Sequence, residues 1–109
     1  MIIAIDTSTE WVGIALSDGL QVVGEHIWRS QNYHTVELVP AIDNLLRQTS
    51  TPRSSISGVA VATGPGSFTG LRIGMAAAKG IALALNVPLI GIPSLDIIVA
   101  AQAPMRRPM

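Results

Sequence analysis

The chain contains no cysteine, which removes disulfides, thiolate catalysis and cysteine-based zinc sites together. Aromatic residues are scarce: Trp11, Trp28, Tyr33 and Phe68 are the whole set, so a core must be built from aliphatic side chains and alanine. Charge is sparse and balanced, with seven Lys and Arg against seven Asp and Glu and a formal net charge of zero. No basic excess marks a nucleic-acid surface, and the composition is not that of a disordered chain. The longest apolar run, Ile73 to Leu85, is broken by Lys79 and is too short to cross a bilayer. Met1 runs directly into a strand pattern with no charged leader before it. A cytoplasmic protein with no membrane partner is the expectation. His26 and His34 are the only histidines, and neither has a second histidine one helical turn on, so no metal site is expected.

What is present is apolar and short. Hydrophobic residues make up 49% of 109 residues, a high share for one small domain, whose surface is a large part of it. Some of that excess is expected to cover a partner. Ile2, Ile3, Ala4 and Ile5 form a continuous apolar run ending at Asp6, which reads as a strand buried on both faces. Trp11 to Ser17 reads as a second strand, closed by the hairpin pair Asp18-Gly19, and Leu20 to Trp28 as a third. From Thr35, the expected cap, to Gln48 the period becomes helical, with Leu38, Val39, Ile42, Leu45 and Leu46 on one face. Ile56 to Thr63 is a fourth strand, Thr69 to Asn86 a second helix and Val87 to Ile92 a fifth strand. Ser94 then caps a predicted third helix, and residues 104–109, bracketed by Pro104 and Pro108, read as a frayed tail after a single domain over 1–103.

Two hairpin connections make the first three strands antiparallel neighbours. Right-handed crossovers through the two helices place strands four and five parallel to strand one. The predicted fold is therefore α/β, a five-stranded mixed sheet of order 3-2-1-4-5 with helices packed on it. That is the ribonuclease H-like arrangement, shared by each half of actin-like ATPases.

Candidate chemistry concentrates where the strands end. Asp6 lies at the carboxyl end of the central strand, where ligands collect in α/β sheets, and Thr7 and Ser8 follow it. Asp6 can serve a ligand or simply cap its own turn. The fourth strand runs into Gly64-Pro65-Gly66, with Ser67 just before the second helix. Glycines there permit φ > 0 and close approach, and a helix N-terminus attracts anions. The same residues also suit a plain strand–helix turn. A two-metal nuclease needs several carboxylates beside Asp6, and the fourth strand ends at Thr63 instead. Ser67 has no neighbouring His–Asp pair to activate it.

The second helix is nearly apolar all round: from Leu71 to Leu85 only Arg72 and Lys79 are charged. Gly70, Gly74 and Ala78 form one line of small residues, and Ala76, Gly80 and Ala84 another. One such line can lie on the sheet while the other lets a second helix approach, so an exposed apolar strip used for association is expected.

The opening Ile3-Ala4-Ile5-Asp6-Thr7-Ser8-Thr9, the long block from Val61 through Gly74, then Ala78-Lys79-Gly80 and Ile92-Pro93-Ser94-Leu95 resemble the TsaB (YeaZ) family, over most of the chain. The resemblance implies a role in making threonylcarbamoyladenosine on transfer RNA. It implies a non-catalytic subunit that binds the transferase TsaD, with TsaE joining as the ATPase. It also implies a homodimer when alone, contact with tRNA only through the complex, and no cofactor. Family members continue into a second domain of similar fold that is absent from these 109 residues. The catalytic relative carries a His-x-x-x-His pair, whereas here His34 is followed by Leu38. Asp6, Thr7, Ser8, Gly64, Gly66 and Ser67 would then be a vestigial phosphate loop. The family's dimers use the first two helices, which assigns Leu38, Ile42, Leu71, Arg72, Gly74, Met75 and Ala78 to the interface. The alternative is an ATP-binding or glycoprotease-like enzyme of the actin-like superfamily.

Overall fold

Alternating apolar residues and two polar turns build the first half of the sheet. In a computed structural model of the chain, which describes residues 1–30, 34–65 and 68–93 and leaves aside the side chains of His34, Thr35 and Phe68, β1 spans Ile2–Asp6, β2 Trp11–Ser17 and β3 Val22–Arg29. Helix α1 (His34–Gln48), a 3-10 turn (Arg53–Ser55), β4 (Gly58–Ala62), α2 (Phe68–Leu85) and β5 (Leu89–Ile92) follow. The sheet has the order β3-β2-β1-β4-β5. β1 is antiparallel to β2 and parallel to β4, β2 is antiparallel to β3, and β4 is parallel to β5. This is the predicted topology. The predicted third helix and the tail lie outside the described residues.

Period-2 alternation sends Ile3 and Ile5 of β1, and Val12, Ile14 and Leu16 of β2, to one face, all essentially inaccessible. Leu38, Ile42, Leu45 and Leu46 of α1 and Ala78 and Ala82 of α2 close over them. Each fully buried Leu or Ile contributes about 1.5–3 kcal/mol of burial free energy. β4, with its five residues all buried, lies between the central strand β1 and β5. α2 packs over β4, and α1 lies beside it over β2 and β3. Among the described residues, no helix is long and apolar enough to cross a membrane.

Several boundaries moved, each for a local reason. The Asp18-Gly19 pair is not a two-residue hairpin: the Asp18 carboxylate accepts from the N–H groups of Leu20 and Gln21, making a longer turn. Leu20 is left 95% exposed and β3 starts two residues later than expected. Those donors also hold the Asp18 carboxyl below its ordinary pKa. Ile56 donates its N–H to Arg53 and so closes the 3-10 turn instead of opening β4. Both helices begin one residue earlier than expected, at His34 and Phe68, so Thr35 lies inside α1 and is not its cap.

Both helices stop in the same way. Ser50 (φ 55°) and Asn86 (φ 57°) take the left-handed conformation just past α1 and α2. The N–H of Ser50 bonds Arg47 and that of Thr51 bonds Leu46; Asn86 bonds Leu83 and Val87 bonds Ala82. This paired pattern satisfies the last helical carbonyls and turns the chain back toward the sheet.

Candidate functional site

Parallel pairing of β1 with β4 brings the two candidate loops to the same end of the sheet. There the polar groups are largely spent on one another. One oxygen of Asp6 accepts from the backbone N–H of Ser8 at 2.9 Å and from its hydroxyl at 2.5 Å. Thr7, wholly buried, donates its hydroxyl to the carbonyl of Gly70 at 2.6 Å. Thr9 receives the N–H of Trp11 at 3.0 Å and fastens the start of β2. Ser8 is buried as well, at 3% exposure.

The first loop is thereby pinned to α2. Gly74 sits directly beneath Thr7: a methyl group there would overlap the threonine hydroxyl and come within 3.3 Å of its Cβ. Across the end of the sheet, Gly64 has φ 120°, a conformation that glycine alone adopts without strain. The Gly64–Pro65 bond is cis. Gly66 and Ser67 lie outside the described residues, as do the side chains of His34 and Thr35. Among the described residues, no group of three His, Asp or Glu side chains could hold a metal ion. His26 stands at the far edge of the sheet, stacked on Trp28 with ring centroids 5.0 Å apart.

The two lines of small residues on α2 part company. Gly70, Gly74 and Ala78 are buried against the fold, while Ala76, Gly80 and Ala84 are exposed, and a methyl group on Gly80 would meet open space. The residues expected at an interface differ in how far this chain already covers them. Leu38 and Ala78 are fully buried, Ile42 nearly so, and Gly74 is taken up by Thr7. Leu71 and Met75 are half-buried, and Arg72 is exposed. The apolar surface at hand is instead Val36 (71% exposed) and Val39 (52%) on α1 and Leu83 (82%) on α2. Between the helices a groove of about 180 Å³ is floored by Ile42, Leu46, Ile81 and Leu85 and flanked by Val39 and Ala84. The spacing in the sequence revealed two lines on α2 but not which of them faces the sheet. The anchor that decides it, Thr7, is distant in sequence.

A family model described as "TsaD: tRNA N6-adenosine threonylcarbamoyltransferase" matches residues 23–108. The tRNA threonylcarbamoyladenosine biosynthesis protein TsaB of Bacillus subtilis (strain 168) is 39% identical over 99 residues, which are 91% of this chain and 43% of the relative. The chain thus spans less than half the length of that relative. Among solved structures, YeaZ from Pseudomonas aeruginosa superimposes with a TM-score of 0.81 at 30% identity, covering 95% of this chain and 48% of that one. RuvC from Thermus thermophilus, 12% identical with a TM-score of 0.56 over 91% of this chain and 65% of its own, shares the fold alone. The arrangement common to all is ribonuclease H-like.

Proposed function

The chain belongs to the TsaB (YeaZ) family, and on that premise we propose that it acts in threonylcarbamoyladenosine biosynthesis as a scaffold without catalysis of its own. Its partner would be the transferase TsaD, docked on α1 and α2, with TsaE joining the assembly and a second copy taking the same face when TsaD is absent. Residues 1–103 would correspond to the first domain of longer family members.

The observation that carries this reading is the uncovered surface of the two helices. Leu83 projects beside the line Ala76–Gly80–Ala84, and the groove next to Val39 is open. Small residues at a spacing of four let another helix approach closely, and an apolar strip of this kind marks an association site. The loop around Asp6 supports the same reading from the other side. Its hydroxyls and one carboxylate oxygen are engaged within the fold, which fits a vestigial phosphate loop.

Sedimentation of the chain with and without purified TsaD tests the proposal. A faster-moving joint species is expected with the parent chain and not with Leu83→Asp. Since Leu83 is 82% exposed, that substitution is expected to change stability by no more than about 0.5 kcal/mol. Equal co-sedimentation of both chains would overturn the assignment of the face.

A further inference from the structure

β3 forms one edge of the sheet, and its pairing with β2 fixes which backbone groups look outward. Ser30 donates its N–H to the carbonyl of Glu10 at 2.8 Å. In the same antiparallel register (Arg29 opposite Trp11, Ile27 opposite Gly13), the even-numbered residues of this stretch exchange bonds with β2. The N–H and C=O groups of Glu25, Ile27 and Arg29 therefore point away from the sheet. The register irregularity between β2 and β3 lies at Leu16/Ser17, so the stretch from Glu25 to Arg29 is regular. Edge strands are ordinarily blunted by a bulge, a proline or charged side chains, and the charges on this edge are of opposite sign and flank an apolar residue. Here Ile27 lies at the centre of the open stretch, 58% exposed, with an acid two residues before it and a base two residues after.

We propose that this edge pairs antiparallel with the β3 edge of a second copy of the chain, about a two-fold axis at Ile27, so that two sheets become one. The charges select the occupant. Centred on Ile27, the register sets Glu25 opposite Arg29 of the second copy, and Arg29 opposite its Glu25, both at hydrogen-bonded positions. Centred on Glu25 or Arg29 it would oppose like charges, and centred on His26 or Trp28 it would set a charge against an apolar side chain. Opposite-charge cross-strand pairs stabilise and like-charge pairs destabilise. Such an interface is self-complementary, as a two-fold contact requires.

The surroundings accommodate the pairing. Arg29 already meets Glu10 of its own chain at 3.3 Å, with both side chains more than half exposed. Its guanidinium carries five donors, enough to serve a second carboxylate. On the helix face, the register places His26 across from Trp28 of the second copy. These two rings already stack within one chain, and Trp28 donates to Glu37 of α1 at 3.1 Å. A groove of about 330 Å³ runs along the outer flank of α1, between His26 and Trp28 on one side and Pro40, Asn44 and Gln48 on the other.

The surface is separate from the α1–α2 face, so the test uses the whole chain carrying Leu83→Asp to silence that face. Light scattering is expected to show a dimer for this chain and monomers when Glu25→Arg or Arg29→Glu is added. An equimolar mixture of the two added variants is expected to regain the dimer, because one edge then carries two bases and the other two acids. Hydrogen exchange over residues 25–29 is expected to slow in the dimers only. A monomeric Leu83→Asp chain, a dimer that survives either single charge reversal, or a mixture that stays monomeric would each overturn the proposal. Regain of the dimer in the mixture also shows that both variants fold.

Discussion

Gly74→Ala tests whether the candidate loop is fastened to α2 in the way described. On an isolated helix the change is favourable by about 0.8–1.0 kcal/mol, since alanine orders at lower entropic cost. In this fold the new methyl group overlaps the hydroxyl of Thr7, and that hydroxyl is wholly buried and bonded to Gly70. Two relaxations are available. If α2 moves outward, the overpacking costs about 1–3 kcal/mol. If Thr7 rotates, a buried hydroxyl loses its acceptor at about 1–3 kcal/mol. Set against the helix term, the net expectation is a destabilisation of up to about 2 kcal/mol, each kcal/mol lowering the melting temperature by about 4–8 °C in a small domain. Thermal and urea unfolding should be compared for the parent, Gly74→Ala, Thr7→Ala and the double variant. With Thr7→Ala the overlap disappears, so Gly74→Ala should become neutral or stabilising, and the coupling should reach about 1 kcal/mol or more. Gly80→Ala, on the same helix with open space at its Cβ, is the control and should stabilise by up to about 1 kcal/mol. A Gly74→Ala that stabilises the parent chain as much as Gly80→Ala does, or an equal change in both Thr7 backgrounds, would refute the reasoning.

Three further outcomes are expected. Ser50→Gly relieves a left-handed serine (φ 55°) at the end of α1 and should raise stability by about 0.5–1 kcal/mol in thermal unfolding, whereas a loss would contradict the helix-end assignment. The Asp18 carboxyl is held below 3.8 by the N–H groups of Leu20 and Gln21. The stability it confers is therefore present above the unfolded pKa and is lost as the pH falls through the lower folded pKa. An NMR titration of Asp18 with its midpoint at or above 3.8 would contradict the turn geometry. Titration of the chain with magnesium-ATP should give no saturation at micromolar concentration, because the Asp6 loop is engaged internally; saturable binding there would favour the enzyme reading.

What was legible in the sequence was governed by neighbours along the chain. The strand order followed from apolar runs, two short polar connections and the handedness of crossovers, all local or nearly so. Element ends were less legible, because they are decided by hydrogen bonds that spacing does not reveal. Val87, predicted to begin the last strand, instead donates to Ala82 in closing α2. Arg29, predicted to follow the third strand, is held opposite Trp11 in β3. Asp6 was correctly placed at a strand end, yet that its carboxylate would be met by Ser8, two residues on, was one of two open readings.

The second helix shows why a site can be half legible. Its composition is enough to infer two buriable faces, since a helix with only Arg72 and Lys79 charged between Leu71 and Leu85 has little else to offer water. Composition does not say which line of small residues goes inward, because Gly70–Gly74–Ala78 and Ala76–Gly80–Ala84 share one spacing and hold only glycine and alanine. The choice is made by the contact with β1 and its loop. Thr7 offers a hydroxyl to Gly70, and only glycine at position 74 leaves that hydroxyl room. Once that contact is made, the helix is rotationally fixed, Ala78 and Ala82 go down onto the sheet, and Leu83 is turned outward. The two features that looked separate in the sequence, a phosphate-loop-like turn and an apolar helix, are mechanically one. On the function proposed above, the work of the loop is to set the angle at which α2 presents Ala76, Gly80 and Leu83. Thr7→Ala alone should then loosen association through α2 at temperatures where the chain remains folded.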